Sequence, residues 1–194
     1  MQEDAQVRGT GPGAAAPGRL ELVREFVNTR DIEAGTDELD TAPGLDRWLG
    51  GRDLVPGGGA GLAATQADLA RARALREALR AVLRGHAGRE HGTGGAVAAL
   101  AAGMKTRLAV TEDGQLLVVP DGAGVGAALA AILIAAGEAA TLGTWTRLKV
   151  CGADDCQWAF YDRSPTRSGC WCSMQICGSR AKSRAYRSRA AGTG

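Results

Sequence analysis

Hydrophobic residues recur at helical spacing in five segments of the chain. Spacings of three and four residues place apolar side chains on one face of a helix. The clearest stripe begins after Thr65, a residue type that caps helix N-termini, and ends at Arg84. The predicted helices lie at residues 20–29, 45–49, 65–84, 96–103 and 125–136.

Two β-prone runs, 107–111 and 115–119, flank the sequence Glu112-Asp113-Gly114. An Asp-Gly pair between such runs is a hairpin signal, and Pro120 closes the second run. The expected fold is therefore mainly α with a small β-hairpin (α+β).

The composition divides the chain into three parts. Residues 1–18 are rich in Gly and Pro and are predicted to form a disordered arm. A helical domain is predicted for 19–144, and a cysteine-rich module for 145–194. The arm has no apolar stretch of the kind found in a signal peptide, so we expect a cytoplasmic protein with reduced thiols. The segment 122–142 is too poor in Ile, Leu and Val for a convincing membrane span, and we expect no membrane partner.

The formal net charge of +2 conceals an asymmetry between the two ends of the chain. The first 144 residues carry 14 basic and 18 acidic side chains, whereas the last 50 carry 9 and 3. This basic excess is typical of a segment that binds a polyanion. The length of 194 residues excludes a long multidomain enzyme, and the 45% hydrophobic content excludes disorder throughout.

Two further features of the N-terminal part receive structural interpretations. Arg73, Arg76, Arg80 and Arg84 follow one another on one helical face, which we interpret as solvated in preference to an anion contact. His86 and His91 lie in a glycine-rich segment and are expected to be polar loop residues.

The cysteines predict a metal site near the C-terminus. Four of the five form two pairs, each with four intervening residues, and fifteen residues separate the pairs. Such spacing fits a closed, structural Zn²⁺ site, in which the metal substitutes for a large core. Two disulfides or an iron–sulfur cluster remain alternatives. The candidate ligands are Cys151, Cys156, Cys172 and Cys177.

The neighbours of these cysteines have their own expected roles. The fifth cysteine, Cys170, is expected to be inert. Trp158, Phe160, Tyr161 and Trp171 are expected to pack around the metal, with stacking on nucleobases as the alternative.

A basic helix is predicted directly after the second cysteine pair. Ser173 is a suitable N-cap for a helix from about Met174 to Ala190, which contains no acidic residue. A helix with this self-repelling charge is stabilised when phosphates neutralise it, although a solvated helix is the alternative. Its basic residues are Arg180, Lys182, Arg184, Arg187 and Arg189.

These motifs resemble the CGNR zinc finger. The resemblance rests on the four cysteines, the run 160–164, the run 171–174, and the segment Cys177-Gly178-Ser179-Arg180-Ala181-Lys182 with the basic residues behind it. Upstream, Glu25-Phe26-Val27-Asn28-Thr29 and the segments 45–49 and 67–83 resemble the ABATE domain of bacterial stress-induced transcription regulators.

The resemblance implies that the four paired cysteines bind zinc and that the basic helix contacts double-stranded DNA. Arg163 and Arg167, between the cysteine pairs, complete the candidate DNA-binding residues. Two positions depart from the family pattern: Ser179 replaces an Asn, and Cys170 replaces a basic residue. Neither departure affects the four ligands.

The expected function is therefore a DNA-binding transcription regulator without enzymatic activity. The N-terminal domain would sense a small-molecule effector or form a homodimer. An RNA-binding module, which would use the aromatic residues, is one alternative. A redox sensor, in which Cys170 forms a disulfide with a ligand and releases zinc, is another.

Overall fold

The structure is a computed structural model that describes residues 15–52, 54, 62–89 and 94–191. Its described part is mainly α-helical with small antiparallel sheets, which confirms the expected fold class. The helices are α1 (Leu20–Asn28), α2 (Ala42–Gly50), α3 (Gln66–His86), α4 (Gly95–Ala101), α5 (Gly124–Thr141) and α6 (Ser179–Ala191). The paired strands are β1 (Arg30–Asp31) with β2 (Thr36–Asp37), β3 (Thr106–Val110) with β4 (Leu116–Pro120), and β5 (Leu148–Val150) with β6 (Ala159–Tyr161).

Individual residues explain where helix α3 begins and where the β3–β4 hairpin turns. The Thr65 hydroxyl accepts a hydrogen bond from the backbone N–H of Asp68 at 3.1 Å, and the Asp68 carboxylate accepts one from the N–H of Thr65 at 3.0 Å. This reciprocal capping satisfies two N–H groups that the start of α3 leaves unpaired. In the β3–β4 turn, Gly114 has φ of 81°, a left-handed conformation that costs glycine little.

The main core lies between α1, α2, α3 and α5. Phe26 and Trp48 pack with ring centroids 5.4 Å apart, and Leu79 and Ile132 are almost fully buried around them. The core also includes residues of β5 and β6, which precede and follow the first cysteine pair. The cysteine-rich part of the chain is therefore joined to the N-terminal helices by continuous packing, whereas the boundary at 144 stays a prediction.

Helix α5 is long and apolar enough to cross a membrane by length and composition alone. Half of it is buried inside the protein, where it packs against α1 and β4. A single core helix passes the same test, so this helix is weak evidence for a membrane span.

The arginine stripe of α3 does not form a solvated face, and that interpretation is wrong for Arg76 and Arg80. Both side chains are buried, with 2% and 3% of their surface exposed. Arg76 makes two hydrogen bonds to the Asp37 carboxylate, at 2.6 and 2.9 Å. Arg80 donates to the carbonyls of Val27 at 2.7 Å and Gln157 at 2.9 Å. Buried guanidinium groups need such partners, and here they connect α3 to α1 and to the cysteine-rich segment.

The structure also corrects the interpretation of His86 as a loop residue. It is the last residue of α3, and its ring meets Trp145 edge-on at 5.1 Å. Burial lowers the pKa of His86, so the ring is neutral and its Nδ1–H donates to the Leu148 carbonyl at 2.9 Å. His91 lies outside the described residues.

Part of the predicted disordered arm is placed by the structure. Ala16 is buried, and its backbone N–H donates to Glu21 at 2.6 Å, so this residue is held against the body. Residues 1–14 lie outside the described residues, as does the proline- and glycine-rich segment 55–61.

Candidate metal centre and basic helix

The turn between β5 and β6 positions the first two cysteines. Cys151 follows β5 directly, and its backbone N–H donates to the Trp158 carbonyl at 2.9 Å. The Ala153 carbonyl then accepts the N–H groups of Cys156 and Gln157, both at 3.0 Å. This tight turn brings Cys156 back beside Cys151, with both side chains buried.

A wide helical turn positions the second pair. Residues Met174–Gly178 form a π-helical turn, in which the Gly178 N–H donates to the Ser173 carbonyl five residues earlier, at 3.1 Å. The Ser173 hydroxyl caps the turn by accepting from the N–H of Ile176 at 3.3 Å, as an N-cap at this position requires. The wider turn accommodates the four-residue spacer and places the sulfurs of Cys172 and Cys177 3.7 Å apart.

The four paired cysteines converge on one point. Their sulfur atoms all lie within 4.8 Å of one another, and the four side chains are buried. The sulfur of Cys172 lies 3.7 Å from those of both Cys156 and Cys177. A metal bound at about 2.3 Å by four sulfurs at the corners of a tetrahedron places neighbouring sulfurs about 3.8 Å apart. The arrangement therefore fits a metal site, and all five cysteines are free of disulfides.

Hydrogen bonds between the thiols of the cluster shift their pKa values in opposite directions. Hydrogen bonds from the thiols of Cys156 and Cys172 lower the pKa of Cys151 to about 2. The hydrogen bond with Cys151 raises the pKa of Cys156 to about 12, and a similar contact raises the pKa of Cys172. Thiols with a raised pKa keep their protons at neutral pH, and a divalent ion displaces these protons when it binds the four cysteines as thiolates. The donor set thus suits a thiolate-binding metal.

Cys170 takes no part in this cluster through its side chain. It is exposed, and its thiol donates to the Ser168 carbonyl at 3.3 Å. Its own carbonyl accepts the Gly152 N–H at 2.9 Å. The residue therefore connects the two cysteine pairs through its backbone.

Three of the four aromatic residues that were expected to pack around the metal lie against the cysteine cluster. Phe160 is buried against the cysteines, and Trp158 and Trp171 are partly buried beside them. Tyr161 packs instead against the main core.

Helix α6 follows the cluster directly, and residues 179–189 lie at the surface. Only one residue separates Cys177 from its first residue, and Ala181 alone among residues 179–189 is partly buried. Arg180 pairs with Glu33 at 2.6 Å and Arg184 with Asp155 at 3.6 Å, all four side chains being about half exposed. The predicted basic helix is therefore present and solvent-facing.

Three of its arginines share one surface. Arg180, Arg184 and Arg187 line a shallow groove together with small and polar side chains, which include Ser179 and Ser183. Lys182 is exposed as well, as are Arg163 and Arg167 in the loop before the second cysteine pair. Arg163 donates to the Ala15 carbonyl at 2.9 Å. The structure thus places the basic residues on the surface, with one continuous row on α6.

Family models match both parts of the chain. The model described as "CGNR zinc finger" matches residues 147–190. The ABATE model, described as "Putative stress-induced transcription regulator", matches residues 20–144, which is more than half of the chain. The chain belongs to the ABATE family. A comparison with curated proteins gives no significant match. The two models occur in the order that the sequence motifs predicted.

In this ABATE protein, sequence reasoning missed a buried ion pair beside the metal centre. The Lys149 ammonium lies 2.8 Å from the Asp162 carboxylate, and both side chains are almost fully buried. Asp162 also accepts the backbone N–H groups of Ser164 and Gly169, at 2.9 and 2.8 Å. Lys149 donates to the carbonyls of Arg167 and Gly169 as well. The pair therefore shapes the loop that carries Arg163 and Arg167 into the second cysteine pair.

Replacing Asp162 with Ala is expected to destabilise the protein by about 3–5 kcal/mol, because the buried Lys149 ammonium loses its partner. Burial alone would raise the pKa of Asp162, but hydrogen bonds from Lys149 and Ser164 outweigh it and hold the pKa well below its usual range. A carboxyl with a depressed pKa contributes stability above its unfolded pKa of about 3.9 and loses it as the pH falls through the folded value.

Urea unfolding at a series of pH values measures this contribution. The difference in unfolding free energy between the natural protein and Asp162→Ala is expected to be constant near neutrality and to shrink below about pH 4. Asp155→Ala, which removes an exposed carboxyl from the same module, is the matched control and is expected to change stability by less than about 1 kcal/mol. Equal effects of the two substitutions would contradict the prediction.

Arg89 is a third residue that sequence reasoning missed. Its guanidinium lies 5.5 Å from the ring centroid of Trp171 and donates to the Gly152 carbonyl. Gly152 has no side chain to obstruct this approach. Residue types alone give no signal for such a contact, because Arg89 and Trp171 are distant in sequence.

Proposed function

We propose that this ABATE protein is a DNA-binding transcription regulator in which Zn²⁺ fixes a basic reading helix. The supporting observation is the continuity between the cysteine cluster and α6. One residue separates the last candidate ligand, Cys177, from the helix, so the position of the metal dictates the direction of the helix.

Zn²⁺ is the proposed metal because four thiolates at tetrahedral spacing are its usual structural ligand set. The proposed ligands are Cys151, Cys156, Cys172 and Cys177. A [4Fe–4S] cluster attaches each thiolate to a different iron, and a [2Fe–2S] cluster attaches the two pairs of thiolates to two irons. In both clusters, thiolates on different irons lie farther apart than the 4.8 Å that encloses all four sulfurs here. With four protein ligands the metal has no open position, which supports a structural and non-enzymatic role.

Helix α6 is the proposed DNA contact. An exposed helix without acidic residues is repelled by its own charge, and phosphate contacts relieve this repulsion. The ion pairs of Arg180 with Glu33 and of Arg184 with Asp155 are half exposed and therefore weak, so DNA phosphates can replace them. The proposed contact residues are Arg180, Lys182, Arg184, Arg187 and Arg189, with Arg163 and Arg167 beside them.

The RNA-binding and redox alternatives have less support. Of the aromatic rings that would stack on unpaired bases, Trp158, Phe160 and Trp171 pack against the cysteine cluster and Tyr161 packs against the main core. Cys170, the thiol that would form the regulatory disulfide, is directed to the Ser168 carbonyl. Regulation of transcription in the cytoplasm remains the function that the site supports best.

A cavity at the junction between the two regions is the proposed effector site. It has a volume of about 230 Å³ and is lined by charged and aromatic side chains from α1, α2 and the cysteine-rich segment. Among the described residues, one buried side-chain donor lacks a partner, the indole N–H of Trp158 in this lining. A ligand here would touch the ABATE region and the metal module together.

Titration of labelled duplex DNA with zinc-loaded protein over a salt series tests the proposal. The logarithm of the association constant is expected to fall linearly with the logarithm of salt concentration, with a slope of roughly −3 to −5 for three to five phosphate contacts. Single-stranded RNA of equal length serves as a competitor and is expected to displace the duplex poorly. Absence of binding at low salt, or stronger competition by RNA, would overturn the DNA-binding proposal.

A further inference from the structure

The β3–β4 hairpin presents an apolar face to solvent. Leu108, Val110, Leu116 and Val118, here called the hairpin face, are 72%, 66%, 72% and 46% exposed. Alternate residues of a strand point to the same side, and the register pairs Leu108 with Val118 and Val110 with Leu116. The four side chains therefore form two adjacent cross-strand pairs on one surface.

The opposite face holds the hairpin on the body. Ala109 and Val119 on that face are partly buried, and β4 packs against α5. Pro120, which pairs with Thr106 on the side of the hairpin face, is buried at the base of the hairpin. The orientation of the hairpin is thus fixed with its apolar side outward. A two-stranded sheet is marginally stable without a cover, and an exposed apolar patch of this kind indicates an interaction surface.

We propose that the hairpin face binds the hairpin face of a second copy of this chain. The face carries no charged side chain, so its partner must be apolar as well. A twofold axis places the same patch on both subunits, and two identical aliphatic ladders are complementary in composition. Each Leu108–Val118 pair would then pack on the corresponding pairs of the other copy.

Charges at the two ends of the hairpin select the antiparallel orientation. Lys105 and Asp121 lie at the base and Glu112 and Asp113 lie in the turn at the tip, and all four are exposed. The tip therefore carries two negative charges, whereas the base has Lys105 as its cation. The opposite charges that an antiparallel arrangement brings together are those of Lys105 and Glu112. Neither side chain has an ion-pair partner within the described part of the chain. Two antiparallel hairpins bring each tip to the base of the other and form two Lys105–Glu112 contacts, whereas a parallel arrangement brings like charges together.

This inference deepens the proposed function, because a twofold dimer would present two α6 helices to two half-sites related by the same symmetry. The association itself needs no DNA. If the protein fails to bind DNA, the dimer proposal can still be tested. If the protein fails to dimerise, the DNA-binding proposal can still be tested.

Sedimentation analysis of the zinc-loaded full chain without DNA, over a concentration series, tests the hairpin face. The natural protein is expected to be a reversible dimer, and Leu108→Glu with Val118→Glu is expected to raise the dissociation constant by roughly 30-fold or more. Leu142→Glu is the matched control, since Leu142 is 76% exposed at the end of α5, outside the hairpin. Thermal unfolding of each variant verifies that the chain is folded. A natural protein that stays monomeric, or a hairpin variant that dimerises like the control, overturns the proposal.

Charge reversal tests the orientation. Lys105→Glu and Glu112→Lys are each expected to weaken association, since each places like charges at both tip-to-base contacts. An equimolar mixture of the two variants restores both opposite-charge contacts and is expected to form heterodimers more tightly than either variant forms homodimers. A mixture no tighter than its components overturns the antiparallel arrangement.

Discussion

Replacing Cys172 with Ser is expected to abolish tight zinc binding and to unfold the segment that ends in α6. The Cys172 sulfur lies 3.7 Å from the sulfurs of both Cys156 and Cys177, so it connects the two cysteine pairs. Zinc contributes roughly 10–16 kcal/mol of apparent free energy in small zinc-finger peptides, and a serine hydroxyl is a poor replacement for a thiolate. Even a loss of about 5 kcal/mol lowers the Tm of a chain of this size by roughly 10–20 °C.

Two measurements check this prediction. Elemental analysis of anaerobically purified protein is expected to give about one zinc per chain for the natural sequence and far less for Cys172→Ser. Thermal unfolding gives the change in Tm. Cys170→Ser is the matched control, because it removes an exposed thiol two residues away and is expected to leave zinc content and Tm unchanged. Equal zinc content in the two variants would contradict the four-cysteine site.

Loss of the metal is expected to disturb the N-terminal helices as well. The Asn28 side chain of α1 donates to the Ala159 carbonyl at 2.9 Å and accepts the Ala159 N–H at 2.7 Å. Leu148 and Val150 belong to the same core as α1 and α3. After a chelator has removed the metal, hydrogen exchange is therefore expected to show lower protection of amide protons in α1, as well as in the metal module, than in the metal-loaded protein.

The sequence predicted those features that depend on local patterns. Thr65 and the apolar stripe behind it locate α3, the Asp-Gly pair locates the β3–β4 turn, and the cysteine spacing locates the cluster. Each of these signals lies within a few residues of the element that it determines. The same motifs also indicated the two families, whose models match residues 147–190 and 20–144.

Features that depend on distant partners could not be predicted in this way. Arg76 lies three or four residues from the neighbouring arginines of α3, a spacing that an exposed arginine would share. Its burial depends on an ion pair with Asp37, 39 residues away. The strands β5 and β6 have three residues each, too few for alternation to be visible. Lys149 and Asp162 face each other only because these strands pair. A single sequence contains no signal for such contacts.

Replacing Arg184 and Arg187 together with Ala is expected to weaken duplex DNA binding by about 100-fold at fixed salt. Both side chains line the α6 groove and are exposed. A hydrogen bond to a charged group contributes about 1.5–3 kcal/mol, and each factor of ten in affinity corresponds to about 1.4 kcal/mol. The salt-dependence slope is expected to become shallower by about 0.9 for each phosphate that the altered helix no longer neutralises.

The control for this prediction must remove the same charge elsewhere. Arg47→Ala with Arg107→Ala takes two exposed guanidinium groups from the ABATE region and leaves α6 intact. If net charge alone attracts DNA, both double variants weaken binding equally. If α6 is the contact surface, only the Arg184 and Arg187 variant changes the slope, because counterion release depends on the phosphates that the protein neutralises and not on its total charge. Matching zinc content in both variants assigns the difference to the helix surface.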